Sequence, residues 1–343
     1  MTADFSETCL VVRLGSMGDV VLTTGVLKSW HARYGTRFIF ITKKPFAPVL
    51  QNHPAVSEII PVSKQDLTTP GWFSFCRRLG HRLGHLQLVD LHASLRSRIL
   101  GLMWPSRTRV YPKMALQRRL YSLSRGRFFR RSLLETDVPG RYFKALCPYR
   151  SGSDRLEPCI YLEPAEKARG RRLLAGSAIM VNNSSSPGKP LIALHPYATH
   201  PAKAWPTDHW LSLITLLEDH GMEWIVLGRE RYRLLPDSSR DLTSRTDIRQ
   251  TCALLKHCSA LVTGDSGPMH LARAVNTPLV AMFGPTTREW GFFPTGEKNI
   301  VLQTRLPCRP CSLHGRMSRP CPAECMTSIT PREVLSALQN LQL

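Results

Sequence analysis

The chain lacks several features that would place it in a specialised class of proteins. No apolar run approaches the 18 or so residues that a membrane-spanning helix needs. Two acidic residues precede the first apolar stretch, which argues against a secretory signal. Ten cysteines in 343 residues are too few for a disulfide scaffold. With 43% apolar and 21% charged residues, the composition predicts a globular, two-domain protein of a reducing compartment.

Acidic residues are scarce as well. The chain has 46 Lys and Arg against 25 Asp and Glu, a formal net charge of +21. Between Arg77 and Arg150, 17 basic residues stand against three acidic ones. Read as a helix, Gln117 to Leu134 is basic and amphipathic, which is typical of a segment lying on an anionic membrane. A nucleic-acid groove and a solvated basic face are the alternatives, although no RNP-like motif or helix-turn-helix is recognisable.

Short apolar strands alternate with helical segments in both halves of the chain. This alternation predicts an α/β fold with two parallel, doubly wound sheets. A stretch rich in Gly, Ser, Asn and Pro at 176–190 is the predicted linker between domains 1–175 and 191–343. Thr207 is a predicted helix cap, and Thr330 opens a terminal helix with capping-box spacing. Ligands of such sheets bind at the carboxyl ends of the strands, so a cleft between the domains is the expected site.

Three strand-to-helix turns concentrate polar groups. The turn Gly15–Asp19 does not have the GxGxxG spacing of a dinucleotide site, and Asp19 is either a plain helix cap or a general base. In Gly264–His270, N–H groups at the helix start suit a phosphate, and Asp265 suits sugar hydroxyls; a capped helix is the alternative. The third turn leads to Lys203, which is either a surface lysine or the cation that neutralises a diphosphate leaving group without a metal.

Four cysteines lie within 18 residues near the C-terminus. They are Cys308, Cys311, Cys321 and Cys325. Their spacing allows a tetrahedral, structural zinc site, since four thiolates leave no open position for catalysis. Two linked disulfides or four free thiols are the alternatives.

Five motifs occur in a distinctive order. They are LGSMGDV at 14–20, DLHASLRS at 90–97, KAWP at 203–206, GDSGPMH at 264–270 and FGPT at 283–286. Together they resemble the bacterial lipopolysaccharide heptosyltransferases, glycosyltransferase family 9, over residues 9–340. The resemblance implies a GT-B fold, with two Rossmann-like domains facing a central cleft. It assigns the acceptor to the N-terminal domain and the nucleotide sugar to the C-terminal domain.

The resemblance also implies roles for individual residues. Asp19 matches the catalytic base, and Lys203 matches a catalytic contact to the diphosphate. The implied donor-binding residues are Ser16, Gly18, Thr199, Lys203, Glu230, Asp265, Ser266, Gly267 and His270. The implied acceptor-binding residues are Arg96, Arg98, Arg118 and Arg119. The chain departs from many relatives at Tyr197, where they have glycine, and at His200, where arginine is frequent.

From this resemblance we expect a metal-independent, inverting transferase that moves heptose from ADP-heptose to the inner core of lipopolysaccharide. The expected partners are ADP-heptose, a lipid A/Kdo-type glycolipid and an anionic membrane surface, without nucleic acid. The expected location is the cytoplasmic face of the inner membrane, and the only expected metal is the structural zinc. The alternatives are a relative with another nucleotide sugar or glycan acceptor, a GT-B-like epimerase, and a non-catalytic, zinc-bearing nucleic-acid-binding protein.

Overall fold

The chain forms two compact units. The computed structural model describes residues 7–146, 156–177, 179, 189–312 and 321–342. The first unit comprises Met1–Ala115 and Thr136–Tyr161, and the second unit comprises Leu116–Glu135 and Leu162–Leu343. Each unit is built on one five-stranded sheet.

The described residues 7–146 contain five strands and six helices. The strands are β1 (Thr8–Val12), β2 (Arg37–Lys43), β3 (Val56–Val62), β4 (Gln87–Asp90) and β5 (Thr108–Val110). The helices are α1 (Met17–Tyr34), α2 (Thr69–Leu83), α3 (Leu95–Leu102), α4 (Ala115–Leu123), α5 (Arg130–Leu134) and α6 (Val138–Phe143). A 3₁₀ segment, Lys44–Leu50, follows β2.

The described residues beyond 155 contain five further strands and six helices. The strands are β6 (Leu191–His195), β7 (Glu223–Val226), β8 (Ala260–Gly264), β9 (Leu279–Met282) and β10 (Asn299–Leu302). The helices are α7 (Pro164–Ala175), α8 (Thr207–Asp219), α9 (Ile248–Leu255), α10 (Gly267–Ala274), α11 (Glu324–Thr327) and α12 (Pro331–Asn340). Short 3₁₀ segments are Pro201–Lys203 and Arg288–Trp290.

Both sheets are parallel and doubly wound, as predicted. Their strand orders are β3-β2-β1-β4-β5 and β10-β9-β8-β6-β7. The central strands β1, β6 and β8 are almost wholly buried, which explains why they are continuous apolar runs rather than alternating ones. The strand order reverses between β1 and β4 in the first sheet, and between β6 and β8 in the second. Such switch points are where ligands of open α/β sheets bind.

Several helix ends follow local sequence signals. Helix α1 ends at Tyr34, and Gly35 takes the left-handed conformation that stops it, with φ 69°. Thr330 and Glu333 form the predicted capping box of α12. The prediction that Thr207 caps α8 is wrong, because the Pro206 carbonyl accepts the first helical hydrogen bond, from Trp210 N–H.

The basic stretch does not form the single amphipathic helix that the sequence suggests between 117 and 134. It forms α4 and α5 with a turn between them, in which Arg125, Gly126 and Phe129 have φ of 50°, 85° and 63°. Residues 116–135 pack with the second unit, although the predicted boundary places them in the N-terminal domain. The contacts responsible are made with residues more than 150 positions later, which no local pattern reveals.

Two further sequence-based expectations concern linkers and membrane spans. Most of the predicted linker, residue 178 and residues 180–188, lies outside the described residues. Among the helices in the described ranges, none is both long and apolar enough to cross a bilayer.

Candidate active site

Asp19 lies in the first turn of α1, at the switch point of the first sheet. Its Oδ1 accepts a hydrogen bond from the Tyr142 hydroxyl at 2.8 Å. Its Oδ2 is 2.5 Å from the Arg13 guanidinium and accepts from the Ser16 N–H at 3.2 Å and hydroxyl at 3.0 Å. Four donors therefore hold a carboxylate whose side chain is only 14% exposed.

The charge state of Asp19 follows from these partners. Burial alone would raise the pKa of the carboxyl group. The Arg13 charge and the hydrogen bonds from Tyr142, Ser16 and Arg13 outweigh it, so that the pKa of Asp19 lies below its usual value. Burial raises the pKa of Tyr142 well above its usual value, which keeps this hydroxyl a donor. Asp19 is therefore ionised at neutral pH.

Arg13 contacts residues that follow both strands at the switch point, Asp19 after β1 and Leu91 after β4. It lies one residue beyond β1, is 6% exposed, and donates through Nη1 to the Leu91 carbonyl just after β4, at 2.7 Å. Its guanidinium also lies 5.4 Å from the centre of the Tyr142 ring. Ser16 is the helix cap and Asp19 occupies the third helical position, so a capping role is present. Capping the helix does not require the contacts of Asp19 with Arg13 and Tyr142. Asp19 is therefore not only the helix cap that was one of the two alternatives from the sequence.

Sequence analysis missed both Arg13 and Tyr142. A signal existed for Arg13, since a lone charge directly follows the buried apolar run Cys9–Val12. No signal existed for Tyr142, which is 123 positions from Asp19 and belongs to α6. Only the packing of α6 beside α1 brings its hydroxyl to the carboxylate.

Replacing Tyr142 by Phe should destabilise the ionised form of Asp19, because the carboxylate loses one hydrogen-bond donor. A hydrogen bond to a charged group contributes about 1.5–3 kcal/mol, and one pKa unit corresponds to about 1.4 kcal/mol. We therefore expect the pKa of Asp19 to rise and the acid limb of the pH–rate profile to move to higher pH by about one unit. The measurement is kcat against pH, with Tyr121→Phe as a control that removes a distant buried hydroxyl. An unchanged acid limb in Tyr142→Phe would show that this hydroxyl does not tune Asp19.

The structure places the four predicted acceptor-binding arginines on different units. Arg96 and Arg98 are exposed on α3 of the first unit, and Arg96 donates to the Leu67 carbonyl at 2.9 Å. Arg118 and Arg119 lie on α4 and pack with the second unit. Arg119 is exposed, whereas Arg118 is buried with its guanidinium 5.6 Å from the ring centre of Trp290. Their role in acceptor binding stays a prediction.

In the second unit, three separate motifs meet at the carboxyl ends of neighbouring strands. Lys203 Nζ lies 2.5 Å from Asp265 Oδ2, which also accepts from the Thr286 hydroxyl at 2.9 Å. These residues follow β6, β8 and β9 respectively. The Lys203 and Asp265 side chains are 13% and 14% exposed, so Lys203 is not the ordinary surface lysine that the sequence left open.

A neutral hydrogen-bond network lies beside this ion pair. His195 Nδ1 is 3.2 Å from the hydroxyls of both Thr263 and Ser266, and these two hydroxyls are 2.9 Å apart. Burial lowers the pKa of His195 to about 4, so the ring is uncharged at neutral pH. Ser266 precedes the first residue of α10, Gly267. In the next turn of this helix, His270 is buried with its ring edge-on to another aromatic ring. The His195 ring therefore adds no positive charge beside the Lys203 ammonium group.

The remaining predicted donor residues are more dispersed. Thr199 and Glu230 are exposed, after β6 and β7 respectively. Ser16 and Gly18 belong to the first unit, next to Asp19, whereas the other predicted donor residues belong to the second unit. No observation in the described residues tests their binding roles.

Tyr197 fills the space next to the turn that carries Glu230. Its hydroxyl is 2.6 Å from the Thr243 hydroxyl and accepts from the Leu234 N–H at 3.1 Å. A Cβ at Gly228, where φ is +150°, would lie 2.4 Å from the Tyr197 ring. The Tyr197 ring therefore requires glycine at position 228.

The predicted zinc site rests on four clustered cysteines. Cys308, Cys311, Cys321 and Cys325 are free thiols in this structure. Burial, and then the other three thiols, raise the pKa of Cys311 to about 11. Across the described ranges no three His, Cys, Asp or Glu side chains are grouped so that they could hold a metal ion. Structural zinc stays a hypothesis based on spacing alone.

Comparisons with known proteins place these features in one family. The family model for glycosyltransferase family 9 (heptosyltransferase) matches residues 154–321. Lipooligosaccharide heptosyltransferase 2 of Haemophilus influenzae is 31% identical over 161 residues, 43% of this chain and 45% of that protein. Lipopolysaccharide heptosyltransferase 2 of Salmonella typhimurium is 26% identical over 304 residues, 82% of this chain and 84% of that protein.

A solved structure shows the same fold over the whole length. It is that of the E. coli ADP-heptose lipopolysaccharide heptosyltransferase II, with a TM-score of 0.68 and 23% sequence identity, and the match covers 98% of each chain. The predicted GT-B fold is therefore confirmed, and so is the resemblance that the motifs suggest. Within residues 154–321 the chain is therefore similar to glycosyltransferase family 9, the heptosyltransferases, and its fold agrees with that similarity.

Proposed function

We propose that the protein transfers heptose from ADP-heptose to the inner core of lipopolysaccharide, with inversion at the anomeric carbon and without a metal. The observation that carries the reaction type is the buried, ionised Asp19 carboxylate, which four donors orient at the switch point of the first sheet. The substrates are inferred from the heptosyltransferases to which the chain is similar. The site of action is then the cytoplasmic face of the inner membrane, where the lipid acceptor is built.

In the proposed reaction, a hydroxyl oxygen of the acceptor attacks the anomeric carbon of the donor heptose. Asp19 takes the hydroxyl proton as the new carbon–oxygen bond forms. The bond between the anomeric carbon and the diphosphate oxygen breaks, and ADP leaves with the bonding electron pair. Lys203 stabilises the negative charge that develops on the diphosphate.

The resting contacts of both residues constrain this mechanism. Arg13, Tyr142 and the Ser16 hydroxyl lower the pKa of Asp19, so the carboxylate carries no proton at neutral pH and has room for the acceptor proton. An acceptor hydroxyl must displace or share one of these donors to reach a carboxylate oxygen. Likewise Lys203 is bound to Asp265, and a diphosphate has to compete with that carboxylate for the ammonium group.

The donor is tested most directly by ligand-dependent thermal stability. We expect ADP and ADP-heptose to raise the melting temperature, and UDP and uridine-linked sugars to leave it unchanged. A ligand at a hundredfold excess over its Kd stabilises the folded state by about 2.7 kcal/mol, which such a measurement resolves. A rise with a uridine nucleotide alone would refute the donor assignment and retain the fold.

Tyr197 favours one alternative, a family relative that uses a different nucleotide sugar. Many relatives carry glycine here, whereas this ring occupies the space next to Gly228 and the turn to Glu230. The resemblance implies that Glu230, on that turn, binds the donor, so a changed shape there would alter donor choice. The same panel of nucleotide sugars separates the two possibilities.

A further inference from the structure

The segment 116–134 has two contrasting faces. Its inner face packs on the second unit: the Tyr121 ring meets Trp290 edge-on at 5.3 Å, and Leu133 is buried. Arg130 forms an ion pair with the mostly buried Glu289 at 2.9 Å. The segment is therefore held as a defined element of this unit.

The outer face carries large apolar side chains that remain well exposed to solvent. They are Leu116, Leu123, Phe128, Phe129 and Leu134, which are 43–72% exposed. These are five of the eleven exposed large apolar side chains among the described residues, within a stretch of only 19. An apolar cluster of this density on a surface marks an interaction site rather than incidental exposure.

The exposed charges within this segment are of one sign, and Arg131 also pairs with Glu135, just beyond the segment, at 3.9 Å. The segment contains six arginines and no acidic residue. Arg119, Arg125, Arg127 and Arg131 are exposed, among the apolar side chains. Phe128 and Phe129 lie in the turn between α4 and α5, flanked by Arg127 and Arg130.

We propose that the outer face of residues 116–134 docks the protein on an anionic phospholipid bilayer, with Phe128 and Phe129 inserted at the headgroup boundary. Leucine and phenylalanine provide the apolar area that enters the interface, and arginines pair with anionic headgroups. A nucleic acid would use the arginines but leave Leu116 and Leu123 of α4 exposed to water, so the bilayer accounts for both features. The inference deepens the proposed function, on which it rests for the choice of a membrane-bound acceptor.

The test is sedimentation of the full-length protein with phosphatidylcholine vesicles that contain or lack phosphatidylglycerol. We expect binding to the anionic vesicles only. Arg125→Gln/Arg127→Gln/Arg131→Gln should weaken binding by about tenfold or more, because each arginine near an anionic surface contributes to the attraction. The matched control is Arg169→Gln/Arg171→Gln/Arg172→Gln, which removes three exposed arginines from α7 of the same unit and should bind as the parent does.

The apolar contribution has its own pair of variants. Phe128→Ser/Phe129→Ser should reduce binding by about tenfold or more, whereas Leu211→Ser/Tyr232→Ser, at two other exposed positions of the second unit, should not. All four variants alter exposed side chains and should melt as the parent does.

Three outcomes would overturn the proposal: no binding to anionic vesicles, equal losses in the test and control variants, or binding of duplex DNA but not vesicles by the same arginines. Turnover on a detergent-dispersed acceptor separates this inference from the proposed function. Turnover without vesicle binding refutes only the docking surface, and vesicle binding without turnover on any nucleotide sugar refutes only the transferase.

Discussion

Asp19→Asn should lower turnover by about 100-fold or more, the usual cost of losing a positioned general base. The amide retains the shape of the carboxylate but cannot accept the acceptor proton. Donor binding should survive, because the residues predicted to bind the donor lie mainly in the second unit. The measurement is kcat under saturating donor and acceptor, with the Kd for ADP determined in parallel.

The chain offers a close control for this variant. Asp66 also accepts from the N–H and hydroxyl of a serine three residues earlier, Ser63, and also pairs with an arginine, Arg78. Asp66→Asn removes the same local contacts in the same unit and should leave turnover unchanged. Near-normal turnover in Asp19→Asn, or an equal loss in Asp66→Asn, would refute the catalytic role.

Stability needs a separate check, because Asp19→Asn leaves the buried Arg13 without its carboxylate. Breaking one partner of a buried ion pair costs about 3–5 kcal/mol. Arg13→Met/Asp19→Asn removes both charges and should recover much of the lost melting temperature. Its turnover should remain as low as that of Asp19→Asn, which would separate the loss of the base from loss of the fold.

Lys203→Met is expected to reduce kcat/KM by about 100-fold or more, since removal of one preorganised charge-stabilising group commonly has that effect. The variant removes the cation that would meet the diphosphate. It also leaves Asp265, whose side chain is 14% exposed, with the Thr286 hydroxyl as its donor from the FGPT turn. The loss of the ammonium group and the Asp265 carboxylate that remains without its cation both oppose donor binding. The rise in melting temperature with ADP should therefore be smaller as well.

Two variants make this second expectation specific. Lys256→Met removes another lysine of the second unit, one that donates to the Val275 carbonyl at 3.1 Å, and should leave kcat/KM unchanged. Lys203→Met/Asp265→Asn restores a neutral pair and should recover stability but not kcat/KM. Full activity in Lys203→Met would mean that the Lys203–Asp265 ion pair is purely structural.

Local sequence determined much of the architecture. The central strands are continuous apolar runs, and glycine at 35 and the Thr330 capping box mark helix ends by rules that act within a few residues. The edge strands β5 and β10 were not predicted, because each is short and only partly buried, so neither forms a marked apolar run. The basic segment is split because its turn residues take positive φ, which a helical reading of 117–134 does not anticipate.

The candidate site could be predicted partly from the sequence and partly only from the tertiary structure. Asp19, Lys203 and Asp265 could be identified from motifs, because glycine-rich turns after apolar strands are visible in the sequence itself. The tertiary structure alone decided their partners: Tyr142 reaches Asp19 across 123 positions, and Lys203 reaches Asp265 across 62. It also decided that residues 116–134 belong to the second unit and expose their leucines and phenylalanines. Such contacts depend on how separate elements pack, and short-range patterns in a sequence record only the preferences of neighbours along the chain.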